Sequence, residues 1–262
     1  MAFIRNYLHD LVQPPSESTQ PMDKKLWIVC VTAALSLSII HYANQYDWWF
    51  DFLAVFLSPA QLNALMDAYL TGYWSRLIQL LHWSFVSISG YVIIPWLVIR
   101  FILKEKVIHF GLITGIQKEE VRVYGLTLLV MIPLVFLVSH MSSFQSRYPF
   151  YQSVDGIADQ RLWIWECAYL LQFFALEFFF RGFVVHGIKH RFGILSVFVM
   201  MIPYCMIHFG KPFPETIAAI LAGIFLGLVS LRTNSIWLGV LLHCSVAITM
   251  DLLALWQKGL IG

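Results

Sequence analysis

Hydrophobic residues are concentrated in long runs along this chain, and polar residues fall between the runs. A helix needs roughly 20 apolar residues to cross the hydrocarbon of a bilayer, where lipid offers no partner for free backbone groups. The pattern therefore predicts seven membrane-spanning helices, at residues 26–44, 77–103, 122–140, 162–187, 192–208, 216–231 and 235–256. The predicted fold class is all-α, a multi-pass transmembrane helical bundle of seven to eight spans.

Two local features refine this bundle. The segment 48–57 is apolar, but Asp51 interrupts it and a Ser-Pro pair closes it. We predict an interfacial or re-entrant segment there, with an eighth short span as the alternative. In the sixth span Ala219, Gly223 and Gly227 recur at four-residue intervals, a spacing that predicts close approach of another helix.

Lysine and arginine positions orient the predicted bundle. Eleven of the 17 lie between spans on the side of the N-terminus, five lie on the other side, and Arg181 lies inside a span. By the positive-inside rule the N-terminus is cytoplasmic. We divide the chain into a cytoplasmic segment 1–25, a membrane region 26–121 of unassigned role, and a membrane core 122–262. The expected location is a cell membrane, of bacterial inner-membrane type.

Composition excludes several classes of protein. The chain is 59% hydrophobic and 12% charged, whereas soluble domains carry about 25% charged residues. Its net charge of +2 and the lack of a basic stripe argue against a nucleic-acid partner. The lipid bilayer is then the expected surrounding of the whole chain. The four cysteines all fall in apolar runs, where they are expected to pack. We expect no cofactor, with a divalent metal ion kept open.

Ionisable residues inside the predicted spans are the candidates for chemistry. Each costs about 2.5–3.5 kcal/mol to insert, so it normally faces a partner or a wet cavity. Glu177 and Arg181 are four residues apart, on one helix face where they can pair. His208 closes one span and His243 lies near the middle of another. A structural ion pair explains Glu177 and Arg181 alone as well as catalysis does, but an acid with two imidazoles can also activate water and stabilise an oxyanion.

The order of these residues resembles the CAAX protease and bacteriocin-processing (CPBP, or ABI) family of intramembrane glutamate proteases. That family carries Glu-Glu-x-x-x-Arg on one helix, Phe-x-x-x-His on a second, and His-x-x-x-Asn/Asp on a third. Tyr204 stands where the family has phenylalanine. The resemblance covers about residues 160–256, and the stretches similar to the three elements are 176–181, 204–208 and 243–247.

Two positions depart from the family pattern. Leu176 replaces the first glutamate, usually assigned as the water activator, and Ala247 replaces the Asn/Asp that helps to bind the oxyanion. Either Glu177 acts as the base, or a carboxylate enters from elsewhere, or hydrolysis has been lost. Asp251 is a candidate substitute one turn beyond Ala247, and Glu166 is expected at the outer end of its span or at the cavity mouth.

The resemblance implies an intramembrane endopeptidase whose catalytic residues are Glu177, His208, His243 and Arg181. In this hypothesis Glu177 and His208 activate a water, His243 stabilises the oxyanion, and Arg181 holds Glu177 in place. The substrate is a membrane-embedded protein or peptide, with a prenylated C-terminal tail, a bacteriocin leader or a C-terminal membrane anchor as the possible classes. The alternative is a non-hydrolytic membrane protein serving as a binding, immunity or scaffold component. A small transporter is disfavoured because no pair of broken half-helices is visible.

Overall fold

The computed structural model of the protein describes residues 23–115, 118–152, 160–211 and 213–261. The predicted cytoplasmic segment 1–25 therefore lies almost entirely outside the described residues. Across the described ranges the chain is helical, with one isolated bridge between Leu112 and Ser235 and no strand. The predicted all-α class is confirmed.

The principal helices follow one another through short connections. In chain order they are α1 (Lys24–Ala43), α2 (Tyr46–Ala54), α3 (Pro59–Leu70), α4 (Ser75–Ile102), α5 (Lys118–Ser139), α6 (Gln160–Phe192), α7 (Leu195–Met206), α8 (Phe213–Thr233) and α9 (Trp237–Gln257). Six of those described are long and apolar enough to cross a bilayer, by length and composition: α1, α4, α5, α6, α8 and α9. The protein is thus a multi-pass membrane protein.

The predicted span at 192–208 is shorter than expected. Its helix, α7, has 12 residues, which is about 18 Å of helix against about 30 Å of hydrocarbon. Gly193, with φ 51°, separates α6 from α7, and Pro203 lies in the last turn of α7. The seven predicted full-length spans therefore become six long helices and one short one.

The segment 48–57 does not form an eighth span. Helix α2 covers most of it with nine residues, or about 14 Å at the helical rise per residue. Ser58 then begins α3 with a capping box, in which its side chain and that of Gln61 bond to each other's backbone. A helix as short as α2 fits the interfacial or re-entrant alternative.

Helix α6 forms the centre of the packing and contacts α1, α4, α7, α8 and α9. It extends to Phe192, five residues beyond the predicted end. Its segment Phe178–Val185 is π-helical, and all eight of its residues are buried. Such wide turns occur mostly where a helix carries a functional side chain. His186 is buried, and its Nε2 lies 3.0 Å from the Ser230 hydroxyl oxygen.

The small residues of α8 allow α7 to approach, as predicted. A Cβ at Gly227 would lie 2.6 Å from Val197, and one at Gly223 would lie 3.0 Å from the ring of Tyr204. Both neighbours belong to α7. This contact holds the last turn of α7 beside α6, and so positions Tyr204 next to Arg181.

Candidate active site

Glu177 lies at the centre of a buried charged cluster in the interior of the bundle. It is the last residue before the π-helical part of α6, and its side chain is 1% exposed. Its Oε1 atom is 3.0 Å from Nη1 of Arg181 and 2.7 Å from Nδ1 of His243. One carboxylate oxygen therefore meets a guanidinium from its own helix and an imidazole from α9. The predicted i,i+4 pairing of Glu177 with Arg181 is present.

Arg181 is held on several sides. Its side chain is fully buried, and its guanidinium carbon lies 4.1 Å from the centre of the Tyr204 ring. Its Nη2 atom makes a long hydrogen bond of 3.5 Å to the Ala222 carbonyl. A buried guanidinium requires such partners, since an unpaired charge in a low-dielectric interior is strongly destabilising. These contacts fix Arg181, and Arg181 in turn fixes the carboxylate of Glu177.

Gly239 makes room for this carboxylate. It lies on α9 one turn before His243, and a Cβ there would contact Oε2 of Glu177 and approach its carboxyl carbon to 2.8 Å. Only a residue without a side chain lets the Glu177 carboxylate come this close to the α9 backbone. The sequence reasoning missed Gly239, although its four-residue spacing from His243 puts both on one face of α9.

The two ring nitrogens of His243 face different residues, Glu177 and Tyr204. Its Nδ1 lies 2.7 Å from Oε1 of Glu177, an ion-pair distance at which the two atoms are not aligned as a hydrogen bond. The negative charge of the carboxylate favours a proton on Nδ1. In the neutral ring Nε2 then carries the lone pair, and it lies 3.2 Å from the Tyr204 hydroxyl oxygen. The ring stacks on Phe173 at 5.4 Å and its side chain is 20% exposed. His243 is thus the more accessible partner of a buried acid.

His208 reaches the cluster through Tyr204. Helix α7 ends at Met206, and His208 lies in the turn that follows. Its Nδ1 is 2.8 Å from the carbonyl oxygen of Tyr204, and the two rings are 4.9 Å apart. In the hydrogen bonds of the described residues His208 is not joined directly to Glu177 or His243. Of the four predicted site residues, three meet directly and His208 is one residue removed.

Leu176 and Ala247, the two departures from the family pattern, both have apolar surroundings. Leu176 is partly buried and packs against the aromatic core around α6, while Ala247 is buried in a second cluster toward the start of α6. Neither brings a polar atom to the Glu177 cluster. Asp251, the suggested substitute for a family Asn/Asp, instead lies beside Glu166 of α6, and its carboxylate oxygens have no hydrogen-bond partner among the described residues. The two form a second acidic contact away from Glu177, so Asp251 does not replace the side chain missing at Ala247.

Metal ligation was left open by the sequence. Across the part of the chain that the structure describes, no group of three or more His, Cys, Asp or Glu side chains is arranged to hold a metal ion. Cys244, next to His243 in sequence, has its sulfur 3.9 Å from the Leu170 carbonyl.

One comparison with known proteins bears on this cluster. A family model described as type II CAAX prenyl endopeptidase Rce1-like matches residues 158–249, about a third of the chain. No curated protein and no solved structure gives a significant match. The matched residues include Glu177, Arg181, His208 and His243, whereas α1 to α5 lie outside the match. The resemblance inferred from the sequence is thus confirmed: residues 158–249 are similar to a family of CAAX-type membrane proteases.

Proposed function

We propose that this protein is an intramembrane endopeptidase that hydrolyses a peptide bond in a membrane-associated protein or peptide tail. The observation that carries the proposal is the 2.7 Å contact between Oε1 of Glu177 and Nδ1 of His243. A carboxylate on one nitrogen of an imidazole leaves the other nitrogen as a proton acceptor, which is the arrangement of general-base catalysis in hydrolases. The family match supports the same class of activity.

The geometry favours other roles for Glu177 and His243 than the resemblance implies. Glu177 is fully buried between Arg181 and His243, so it is better suited to orient His243 than to touch water. His243 is partly exposed, and its Nε2 is the nitrogen available as a base. We therefore assign Glu177 and Arg181 as positioning residues and His243 as the general base.

The proposed reaction needs only water and the peptide. Nε2 of His243 takes a proton from water while the oxygen of that water forms a bond to the peptide carbonyl carbon. The tetrahedral intermediate then collapses, the C–N bond breaks, and the leaving amine takes the proton from His243. His208 is the second imidazole; because its Nδ1 donates to the Tyr204 carbonyl, its Nε2 remains to meet the substrate.

A second candidate function rests on Leu176 and Ala247. If the family's first glutamate and its Asn/Asp are both indispensable, a chain with two apolar residues in their places binds a membrane segment without cutting it. Both residues pack in apolar clusters, and neither cluster supplies a polar substitute at that point. Comparing membrane-protein termini with and without His243 distinguishes this binding or scaffold function from proteolysis.

The test compares membrane proteins in cells that carry the wild-type chain, His243→Ala or His41→Ala in place of the native gene. His41 is an exposed histidine at the end of α1 and serves as the matched control. Proteolysis predicts an uncleaved membrane precursor with His243→Ala and its cleaved form with wild type and His41→Ala. Termini are mapped by mass spectrometry. Identical termini in all three strains would refute proteolysis and leave the binding function.

A further inference from the structure

Tyr204 occupies the point where the functional groups meet. Its hydroxyl oxygen lies 3.2 Å from Nε2 of His243, its ring lies over Arg181, and its carbonyl oxygen accepts from His208. The residue is 1% exposed. The sequence reasoning recorded Tyr204 only as a replacement for a family phenylalanine, and assigned no role to its hydroxyl group.

We propose that Tyr204 is a catalytic residue whose hydroxyl group donates a hydrogen bond to the carbonyl oxygen of the peptide during hydrolysis. This inference rests on the proposed function. With the proton of the neutral His243 ring on Nδ1, beside the Glu177 carboxylate, Nε2 is an acceptor and the Tyr204 hydroxyl group is the donor.

This hydroxyl group is therefore within hydrogen-bond reach of the nitrogen that must meet the attacking water. When water takes the place at Nε2, the O–H bond of Tyr204 turns about the Cζ–Oη bond toward the peptide carbonyl oxygen. The phenol keeps its proton throughout and stabilises the negative charge that develops on the carbonyl oxygen as the C–O bond forms.

The surroundings of Tyr204 hold the ring still, as such a donor requires. Phe180 packs against it edge-on with ring centres 5.1 Å apart, and Gly223 of α8 lets α8 approach its other side. The guanidinium of Arg181 lies over the ring at 4.1 Å. A preorganised donor needs no reorganisation when charge develops, which is the source of its catalytic effect.

The position of Tyr204 also answers a gap in the family pattern. Ala247 lacks the polar side chain with which the family helps to bind the oxyanion, while Tyr204 adds a donor that phenylalanine lacks. A hydroxyl group on α7 can thus supply what α9 does not. This explains how a chain with alanine at position 247 can retain hydrolysis.

The test is Tyr204→Phe, which removes one oxygen atom and keeps the ring over Arg181 and the carbonyl that positions His208. Tyr69→Phe is the matched control, because the Tyr69 hydroxyl lies 2.8 Å from Nδ1 of His82 in a Tyr–His pair outside the matched segment. Processing of the precursor that accumulates with His243→Ala is followed by pulse-chase in cells. The cleavage rate at saturating precursor and the KM are then measured with purified full-length protein.

We expect Tyr204→Phe to lower the maximal rate by about 10²-fold with little change in KM, as loss of one oxyanion donor does, and Tyr69→Phe to behave as wild type. An unchanged rate for Tyr204→Phe, or a loss confined to KM or to thermal stability, would overturn the catalytic assignment. These outcomes leave the proposed function standing as long as His243→Ala is inactive. If wild type and His243→Ala leave the same termini, both proposals fail.

Discussion

Between helices α6 and α9, carboxyl groups lie at two levels, and the two levels have opposite chemistry. At one level the Glu177 carboxylate lies beside the guanidinium of Arg181 and the imidazole of His243. At the other, eleven residues earlier on α6 and about 16 Å away along the helix, Glu166 meets another carboxyl group, that of Asp251. The same helix pair thus carries one acid beside a guanidinium and an imidazole, and one acid facing another acid.

This difference decides what each level can do. A buried carboxylate stays charged when a cation compensates it, and it can then orient an imidazole. Two carboxyl groups that lie close together away from water cannot both stay charged, so one of them takes up a proton. The Glu177 level is therefore suited to chemistry, whereas the Glu166–Asp251 level is suited to hold α6 and α9 together.

The largest expected effect separates the two levels directly. Glu177→Gln should lower cleavage by about 10³- to 10⁴-fold, because an amide no longer fixes the tautomer of His243. It should also destabilise the fold by about 3–5 kcal/mol, since the buried Arg181 loses its counter-charge. Glu166→Gln, the same change on the same helix, should retain cleavage. The measurements are processing of the accumulated precursor and thermal unfolding in detergent.

Equal activity of the Glu166→Gln and Glu177→Gln variants would remove the distinction between the two levels. If Glu177→Gln loses the expected stability but keeps wild-type cleavage, the Glu177 cluster is a structural ion pair. A structural ion pair explains Glu177 and Arg181 alone as well as catalysis does, and that result would decide for it.

A smaller effect tests how closely α9 must approach the acid. Gly239→Ala places a methyl group against the Glu177 carboxylate and should displace it from His243. A displacement of about 1 Å from a productive geometry costs about 10²-fold in rate. Gly125→Ala on α5 is the control, because nothing lies within 4 Å of the added atom. Wild-type cleavage rates in both variants would contradict a close Glu177–α9 contact.

Sequence reasoning reached the local part of this site and missed the parts that depend on packing. The Glu177–Arg181 pair was predictable because both residues lie on one helix, where a four-residue spacing fixes their neighbourhood. His208 and His243 were found through the motif pattern. The roles of Gly239 and the Tyr204 hydroxyl depend on how α7 and α9 pack against α6, and no local spacing encodes that packing.

The fold shows the same division. Apolar runs predicted the six long helices because length and composition decide whether a helix can cross a bilayer. The helix predicted at 192–208 was too long, because the apolar residues continue through Pro203 and into the turn after α7. The Glu166–Asp251 contact joins residues 85 positions apart, and two acids give no sequence signal of attraction.

The smallest expected effect concerns the acid pair alone. Two acids this close should keep one proton in the folded protein that both release at neutral pH when unfolded, so we expect the stability of the wild type to fall as pH rises until the pair ionises. Lys258, whose pKa burial lowers although Asp251 opposes this shift, is the nearby cation, while Tyr148 and Tyr169 are further titratable neighbours of the pair.

Asp251→Asn replaces the shared proton with an amide N–H and should flatten this pH dependence, with a change of about 1 kcal/mol or less near neutral pH, the usual worth of one hydrogen bond. Asp67→Asn, on the exposed face of α3, should keep the wild-type slope. Thermal unfolding of each full-length variant across a pH series measures the slope. If Asp251→Asn keeps the wild-type slope, the pair holds no proton. The contrast between the two levels of α6 and α9 would then rest on Glu177 alone.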